Sequence, residues 1–359
     1  MQRRDFIKGI GAGGIASASL LTANTASAKK VIKWKMVTSW PKNFPGLGTG
    51  AEFLAKTINE MSGGRLKIKV YGANQLVPAL EVFDAVSRGT AQIGHTGAYY
   101  WKGKHPATQF YTSVPFGLTA QEMNGWLYHG GGLKLWEKLY DRFNLVPNPV
   151  GNTGVQMGGW FNKEINSIED LKGLKMRLPG LGGEVLKMAG GTPVTLPGGE
   201  LYTSMQSGAI DATEWVGPYN DLAFGLHKVA KYYYHPGWHE PGSTMEAMIN
   251  KDAFKELDKD LQHIVRAACR VANADMLADY TAKNNTALKT LMTEHKVQML
   301  KFPDDVVKKL RELSEQAVHK VGQHDDISKE IYQSYQKFRT DVMQWSKVSE
   351  QDYMAARSQ

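Results

Sequence analysis

Residues 210–219 read Ile-Asp-Ala-Thr-Glu-Trp-Val-Gly-Pro-Tyr, and this stretch decides the fold assignment. A short apolar segment, typical of a strand, ends where Glu214 and Trp215 begin, and Gly217 and Pro218 then turn the chain towards a predicted helix. In open α/β sheets, ligands bind at the carboxyl ends of the strands. A carboxylate at such a position is either a core residue with a partner or a ligand. Glu214 is therefore the first candidate for a binding site.

Two further stretches carry candidates for the same cavity. Residues 151–161 include Gln156, and residues 174–179 include Arg177. An arginine inside a strand is more often a surface or ion-pair residue when nothing else is known. We nevertheless expect Gln156, Arg177 and Glu214 to face one hollow.

The alternation of apolar and polar residues predicts an α/β protein with two lobes. It predicts three strands in the first part of the chain, at residues 31–37, 65–71 and 91–96, with helices at 51–61 and 78–88 between them. It predicts four more strands after a mixed helical region, near residues 155–161, 174–178, 192–196 and 209–213. Because strands alternate with helices, each lobe should contain a mostly parallel sheet flanked by helices.

The order of these elements sets the predicted domain boundaries. The first lobe covers residues 29–152 and about 243–285, because a strand at 243–250 returns to it. The second lobe covers residues 153–242, and residues from about 286 to 359 form a helical region that packs on the second lobe.

The end of the chain carries an apolar stripe at helical spacing. Its members are Ile331, Tyr335, Phe338, Val342 and Trp345. Most such stripes pack on their own chain, and a sister subunit is the alternative. A homodimer through the C-terminal helices therefore stays open.

The first 28 residues are predicted to be a targeting segment. Residues 3–8 read Arg-Arg-Asp-Phe-Ile-Lys, a twin-arginine signature, and residues 26–28 read Ala-Ser-Ala, a cleavage site. The apolar run between them is too short and too rich in Gly and Ala to span a bilayer. The mature protein is expected to begin near Lys29 and to be soluble in the periplasm.

Charge and cysteine usage exclude several other classes. The predicted mature chain has 40 Lys and Arg against 34 Asp and Glu, spread along its length, which favours a solvated surface over nucleic-acid binding. Cys269 is the single cysteine, so an intramolecular disulfide is impossible. Its helical surroundings predict a buried, inert thiol.

Several long motifs together identify a resemblance. Residues 151–160, 211–219 and 232–238, with residues 128–132 and 173–177, resemble the solute-binding proteins of tripartite ATP-independent periplasmic (TRAP) transporters. The similarity is greatest to the DctP-family branch that binds 2-oxo acids and lactate. It implies a two-lobed fold like that of periplasmic binding proteins, with crossing strands and a long helix, which closes over a small carboxylate. It also implies a TRAP permease in the membrane as partner.

The resemblance also implies a set of site residues. Arg177 would bind the ligand carboxylate, while Gln156, Glu214 and the backbone carbonyl of Trp215 would surround one sodium or calcium ion. The remaining candidates for contact with the substrate are Glu240, as part of the pocket wall, Asn152 and Tyr100. Tyr100 belongs to a Tyr-Tyr-Trp segment, residues 99–101, that follows a predicted strand end.

Physical chemistry makes this set coherent. A planar guanidinium holds a carboxylate with two hydrogen bonds, which a lysine cannot do. A hard cation prefers oxygen ligands, and two ligand oxygens on adjacent carbons would complete about six, the low end for calcium. Arg177, Glu214, an ionised Glu240 and a monoanion sum to −2, which a divalent ion cancels and sodium only halves. The identity of the ion stays open.

An exported metal-dependent enzyme that acts on 2-oxo acids is the alternative hypothesis. Against it, the sequence has no evident pairing of nucleophile and base and no cofactor-binding loop. His235 and His239 have metal-ligand spacing, but Pro236 and Gly237 break the helix that would align them, so we expect no zinc site. His95 and His129 are interpreted as structural.

Overall fold

Two β-sheets organise the part of the chain that the computed structural model describes, residues 31–358. The predicted targeting segment and its cleavage site lie outside these residues. None of the helices in the described range has the length and apolar character of a membrane span.

The first sheet has the strand order β2-β1-β3-β10-β4. Its strands are β1 (Ile32–Thr38), β2 (Leu66–Tyr71), β3 (Ile93–Thr96), β4 (Leu145–Asn152) and β10 (Thr244–Asn250). β1 is parallel to β2 and β3, as the alternating order predicts, whereas β10 is antiparallel to both β3 and β4. The sheet is therefore mixed, because β10 returns to it from the second sheet.

β4 is a strand that the sequence pattern missed. It contains Pro147 and Pro149, which cannot donate hydrogen bonds to a sheet and therefore argue against a strand. The strand lies at the edge of the sheet and pairs with β10 alone, so the missing donors cost little.

The second sheet has the strand order β11-β9-β5-β8-β6-β7. Its strands are β5 (Gly159–Phe161), β6 (Lys175–Arg177), β7 (Thr192–Val194), β8 (Ala212–Thr213), β9 (Tyr232–His235) and β11 (Gln298–Lys301). β6 is parallel to β7 and β8, whereas β5 is antiparallel to β8 and β9. The predicted strand near 155–161 is thus shorter than expected, and its first residues form an irregular loop that carries Gln156.

The helices cover the sheets and connect them. They are α1 (Leu47–Met61), α2 (Val82–Ser87), α3 (Ala120–Tyr128), α4 (Gly132–Asp141), α5 (Gly180–Met188), α6 (Leu201–Gln206), α7 (Pro218–Phe224), α8 (Lys251–Lys255), α9 (Lys259–Thr293), α10 (Asp304–Gly322), α11 (Asp326–Ser346) and α12 (Asp352–Arg357). The first sheet with the helices packed on it forms the first layer, and the second sheet with its helices forms the second layer. α9 has 35 residues and packs on α1 and β4 of the first layer and on α7 of the second. It therefore spans both layers, as the resemblance implies.

The C-terminal helices divide between the two layers. α10 packs on α5 beside the second sheet, but α11 packs on α3 and α4 beside the first sheet. Tyr335 of α11 is buried there, and its hydroxyl accepts a hydrogen bond from the Leu118 backbone N–H at 2.9 Å. The expectation that the whole region packs on the second lobe is therefore wrong for α11.

Candidate functional site

The pairing of β6 with β8 brings two predicted site residues together. These strands are parallel, and Arg177, the last residue of β6, is in register with Thr213, the last residue of β8. Glu214 follows directly. The carboxyl ends of both strands consequently meet at one edge of the sheet, with Arg177 beside Glu214, as the sequence predicts.

Arg177 is fully buried and surrounded by acceptors. Its guanidinium forms an ion pair with the Glu214 carboxylate, and Nη1 also donates to the Glu214 backbone carbonyl at 3.1 Å. Nη2 donates to the Tyr100 hydroxyl at 3.1 Å, and the guanidinium carbon lies 4.9 Å from the centre of the Trp215 ring. Burial disfavours the charge, but the Glu214 carboxylate, Tyr100, Tyr99 and Glu240 together outweigh it, so the pKa of Arg177 rises above its ordinary value.

Three oxygen atoms around Arg177 have no hydrogen-bond donor. They are Oε1 of Gln156, Oε2 of Glu214 and the backbone carbonyl oxygen of Trp215. None of them accepts a hydrogen bond from residues 31–358, although Nε2 of His239 lies 3.5 Å from Oε2 of Glu214. Tyr219, four residues after Trp215, instead donates its N–H to Asn284 at 3.0 Å. Buried oxygens without donors suit a hard cation, so the residues present fit the sodium or calcium ion that the resemblance implies.

Backbone hydrogen bonds hold the loop that carries Gln156 against the other site segments. The Gln156 N–H donates to the Glu240 carbonyl at 3.1 Å, and the Met157 N–H donates to the Val216 carbonyl at 3.0 Å. The Gln156 side-chain amide donates to the hydroxyls of Thr153 and Ser243, both at 3.1 Å. Since Nε2 is engaged in this way, Oε1 is the atom left for a ligand.

Glu240 lies in the same buried cluster. Its carboxylate accepts a hydrogen bond from the Ser243 hydroxyl. Burial, followed by the neighbouring Glu214 charge, raises the pKa of Glu240 to about 8. The site thus gathers two acids around one arginine.

A narrow cavity opens at this cluster and draws its walls from both layers. Its lining residues are Trp40, Leu47, Tyr99, Tyr100, Thr153, Gln156, Trp215, Val216 and Met245. Tyr99 and Tyr100 therefore both reach the cavity. Trp101, the third aromatic of that segment, donates its Nε1–H to Glu246 at 2.8 Å instead.

The Asn152 side chain makes two hydrogen bonds at the end of β4. Its amide group donates to the Thr244 hydroxyl at 3.1 Å and accepts from the Gly154 N–H at 2.9 Å. Each end of the amide thus makes one hydrogen bond that holds the turn after β4, and contact of Asn152 with the substrate stays a prediction.

His239, which the sequence analysis considered only as a partner of His235 in a zinc site, belongs to this cluster. It is fully buried, and its Nε2 lies 3.5 Å from Oε2 of Glu214, with Glu240 close by. The chain reaches this position through the turn after β9, not through a helix shared with His235. The signals in the sequence were its spacing from His235 and the adjacent acid, Glu240.

A second group with metal-ligand residues, formed by His105, His324 and Asp325, is structural. His105 Nδ1 accepts from the Ala107 N–H at 3.2 Å, so the proton of the neutral ring is on Nε2, which donates to Asp325 at 3.0 Å. Asp325 also caps α11 by accepting from the Ser328 N–H at 2.9 Å. Without a lone pair on Nε2, His105 is unsuited to hold an ion.

Of the other residues interpreted as structural or inert, His95 and Cys269 are buried, whereas His129 is exposed. His95 is buried and its Nδ1 accepts from the Trp40 indole at 3.0 Å, while burial lowers the pKa of His95 to about 3. Cys269 is buried, and burial raises the pKa of its thiol to about 12. Neither group is available for chemistry at neutral pH.

Comparison with known proteins gives consistent matches along the chain. The family model DctP, bacterial extracellular solute-binding protein, family 7, matches residues 36–325. A monocarboxylate 2-oxoacid-binding periplasmic protein of Nostoc sp. is 44% identical over 358 residues, which cover 98% of each chain.

Two crystal structures of TRAP periplasmic solute-binding proteins resemble this chain to the same extent. The protein of Pseudoalteromonas atlantica, with bound sodium and pyruvate, is 43% identical with a TM-score of 0.89, covering 91% of this chain and 99% of the other. The protein of Colwellia psychrerythraea, with bound calcium and pyruvate, is also 43% identical with a TM-score of 0.89, covering 91% of this chain and all of the other.

Proposed function

The chain belongs to the DctP family of bacterial extracellular solute-binding proteins, and we propose that it captures a small 2-oxo or 2-hydroxy monocarboxylate. The ligand would bind together with one metal ion and be delivered to the membrane permease subunits of a TRAP transporter. The predicted twin-arginine segment supports the periplasm as the place of capture.

One observation carries this proposal. Gln156, Tyr100 and Trp215 line a cavity whose walls come from both layers of the fold, and the buried ion pair of Arg177 and Glu214 adjoins it, with Arg177 in contact with Tyr100 and Trp215. The guanidinium suits the carboxylate, because it can donate two parallel hydrogen bonds. The oxygens of Gln156, Glu214 and Trp215 suit a cation that also attracts the ligand's second oxygen.

The shared cation explains why a 2-oxo or 2-hydroxy acid is favoured. Oxygens on adjacent carbons form a five-membered ring with a metal ion, and a simple carboxylate lacks the second oxygen. The two similar crystal structures hold pyruvate, one with sodium and one with calcium. Their equal similarity to this chain leaves both ions as candidates.

Capture requires no covalent chemistry. Ligand contacts with residues of both layers, such as Tyr100 and Arg177, would stabilise the arrangement in which the layers are close together. The permease would then recognise the closed protein.

A thermal-shift comparison tests the proposal. Pyruvate and lactate should raise the melting temperature when sodium or calcium is present, since a ligand that binds the native state stabilises it. Propionate is the matched control, because it has the same chain length without the second oxygen. Equal shifts from propionate and pyruvate, or no shift from any acid with either ion, would contradict the proposal.

The enzyme alternative has a direct test. A binding protein leaves pyruvate unchanged, so its NMR spectrum should be constant during incubation with purified protein and calcium. Loss of the pyruvate signal, absent from a sample with heat-denatured protein, would favour a metal-dependent enzyme.

We also propose that the C-terminal helices form a homodimer contact. Ile331 and Tyr335 of the apolar stripe pack on their own chain, but Trp345 is 67% exposed. Further along the same helical segment Val348 and Tyr353 are 64% and 65% exposed. Light scattering should give a dimer mass for the wild type and a monomer mass for Trp345→Glu, with the neighbouring Gln344→Glu as control. A monomeric wild type would overturn this contact.

A further inference from the structure

Asp221 is a buried acid directly behind the loop that carries Glu214 and Trp215. It lies in α7 and is 1% exposed. Its Oδ2 accepts hydrogen bonds from the Trp160 indole at 3.0 Å and from the Tyr233 hydroxyl at 2.7 Å. Its Oδ1 accepts from the Val216 backbone N–H at 3.4 Å. Burying a carboxylate is costly, so three donors directed at one side chain indicate a defined task.

The bond to Val216 acts on the peptide group that it shares with Trp215. A peptide group is planar and trans, so its N–H and C=O point in opposite directions. When Asp221 holds the Val216 N–H, the Trp215 carbonyl must point away from Asp221. The Trp215 carbonyl is one of the three site oxygens that accept no hydrogen bond from residues 31–358.

We propose that Asp221 is a positioning residue for the cation site, which orients the Trp215 carbonyl through the Val216 N–H. This inference rests on the proposed function, in which the Trp215 carbonyl is a ligand of the ion. It concerns a residue that does not itself line the cavity.

A second hydrogen bond extends the effect to another proposed ligand. The Val216 carbonyl accepts from the Met157 N–H at 3.0 Å, and Met157 is the neighbour of Gln156. A fixed Val216 therefore fixes both segments that supply oxygens to the site. Residues behind metal ligands commonly change metal affinity 10- to 100-fold when they are replaced.

The two aromatic donors anchor Asp221 to the second sheet. Trp160 of β5 and Tyr233 of β9 are fully buried and stack with ring centres 4.0 Å apart. Their bonds to Oδ2 hold the carboxylate in place, while Oδ1 faces the site. Because the two sets of bonds use different oxygens, a structural role and a positioning role can be separated by mutation.

The test compares Asp221→Asn with Tyr233→Phe in calorimetric titrations of the full chain with calcium chloride alone and with sodium chloride alone. Asp221→Asn replaces one carboxylate oxygen by an NH2 group, which cannot accept a hydrogen bond. At least one of the three bonds donated by Trp160, Tyr233 and Val216 is therefore lost. It should weaken cation binding about 10- to 100-fold. Tyr233→Phe removes one bond to the same carboxylate but leaves Val216 held, so it should lower the melting temperature and change cation affinity less than about twofold.

Asp221→Glu provides a second variant that keeps a carboxyl group to accept from the same donors. Its longer side chain shifts the carboxylate and should weaken cation binding as well, which covers an Asp221→Asn protein that fails to fold. Wild-type cation affinity in a folded Asp221 variant, or an equal loss in Tyr233→Phe, would overturn the inference. A wild type that binds neither ion would overturn the proposed function itself, and the two failures are therefore distinguishable.

Discussion

Glu214 and Glu246 are two buried acids that lie beside different sheets, and their surroundings differ. Glu214 follows β8 of the second sheet and pairs with Arg177, and its free oxygen lies near His239. Glu246 lies in β10 of the first sheet, where its Oε1 accepts from the Trp101 indole at 2.8 Å and the carboxyl group also interacts with Tyr140. Both carboxyl groups are shielded from water.

The difference teaches which buried acids mark a binding site. Burial raises the pKa of Glu246 to about 8, so this group is mostly protonated at neutral pH and is tolerated as a neutral group among aromatic residues. Glu214 instead has a guanidinium beside it and other donor-free oxygens around it. An unpaired buried acid by itself indicates a cost to stability, whereas convergent opposite charges and free oxygens indicate a ligand.

Replacing Arg177 should have the largest effect on ligand binding. Arg177→Met should weaken pyruvate binding by at least about 100-fold, because two charge-assisted hydrogen bonds are worth about 3 to 6 kcal/mol together. Calorimetry of pyruvate with calcium present measures the loss. Arg88→Met, at an exposed position, is the control and should bind as the wild type does.

Arg177→Met should also lower the stability of the protein. Arg177→Met leaves Glu214 buried without its partner, which should destabilise the protein by about 3 to 5 kcal/mol. Adding Glu214→Gln should restore part of that stability but none of the binding. Unchanged pyruvate affinity in Arg177→Met would remove this residue from the site.

Glu214→Gln should have the next largest effect. The amide lacks the charge that attracts a cation, so cation affinity and pyruvate affinity should fall in parallel, by roughly 10- to 100-fold. Glu246→Gln is the matched control on the other sheet and should leave both affinities unchanged. Full pyruvate affinity in chelator-treated wild type in sodium-free buffer would contradict the shared-ion model.

Local sequence patterns predict part of the site and part of the fold. Parallel strands end at the same edge, so the meeting of Arg177 and Glu214 could be anticipated from two short strand patterns and a turn. The strand alternation of β1, β2 and β3 was equally clear, and β10 was placed correctly as a returning strand. These features depend on local periodicity, which a single sequence displays.

Other features depend on contacts between distant segments. β4 escaped prediction because its two prolines are tolerated only at a sheet edge, and edge positions are not visible in a sequence. His239 reaches Glu214 through a turn whose path no periodicity specifies. The hydrogen bonds of the Asn152 amide with Thr244 and Gly154 likewise depend on how the strands pair, which no local pattern shows.

Glu246 should affect stability without affecting binding, which is the smallest expected effect on ligand affinity. Its pKa is raised from 4.5 to about 8, so the native state binds this proton more tightly than the unfolded state does. Stability should therefore fall as pH rises from about 4.5 to 8, by at most about 1.4 kcal/mol per pH unit from this group. Glu246→Gln resembles the neutral acid and should remove that contribution. Urea unfolding of both proteins at several pH values measures it, and parallel stability curves would show that Glu246 carries no such proton.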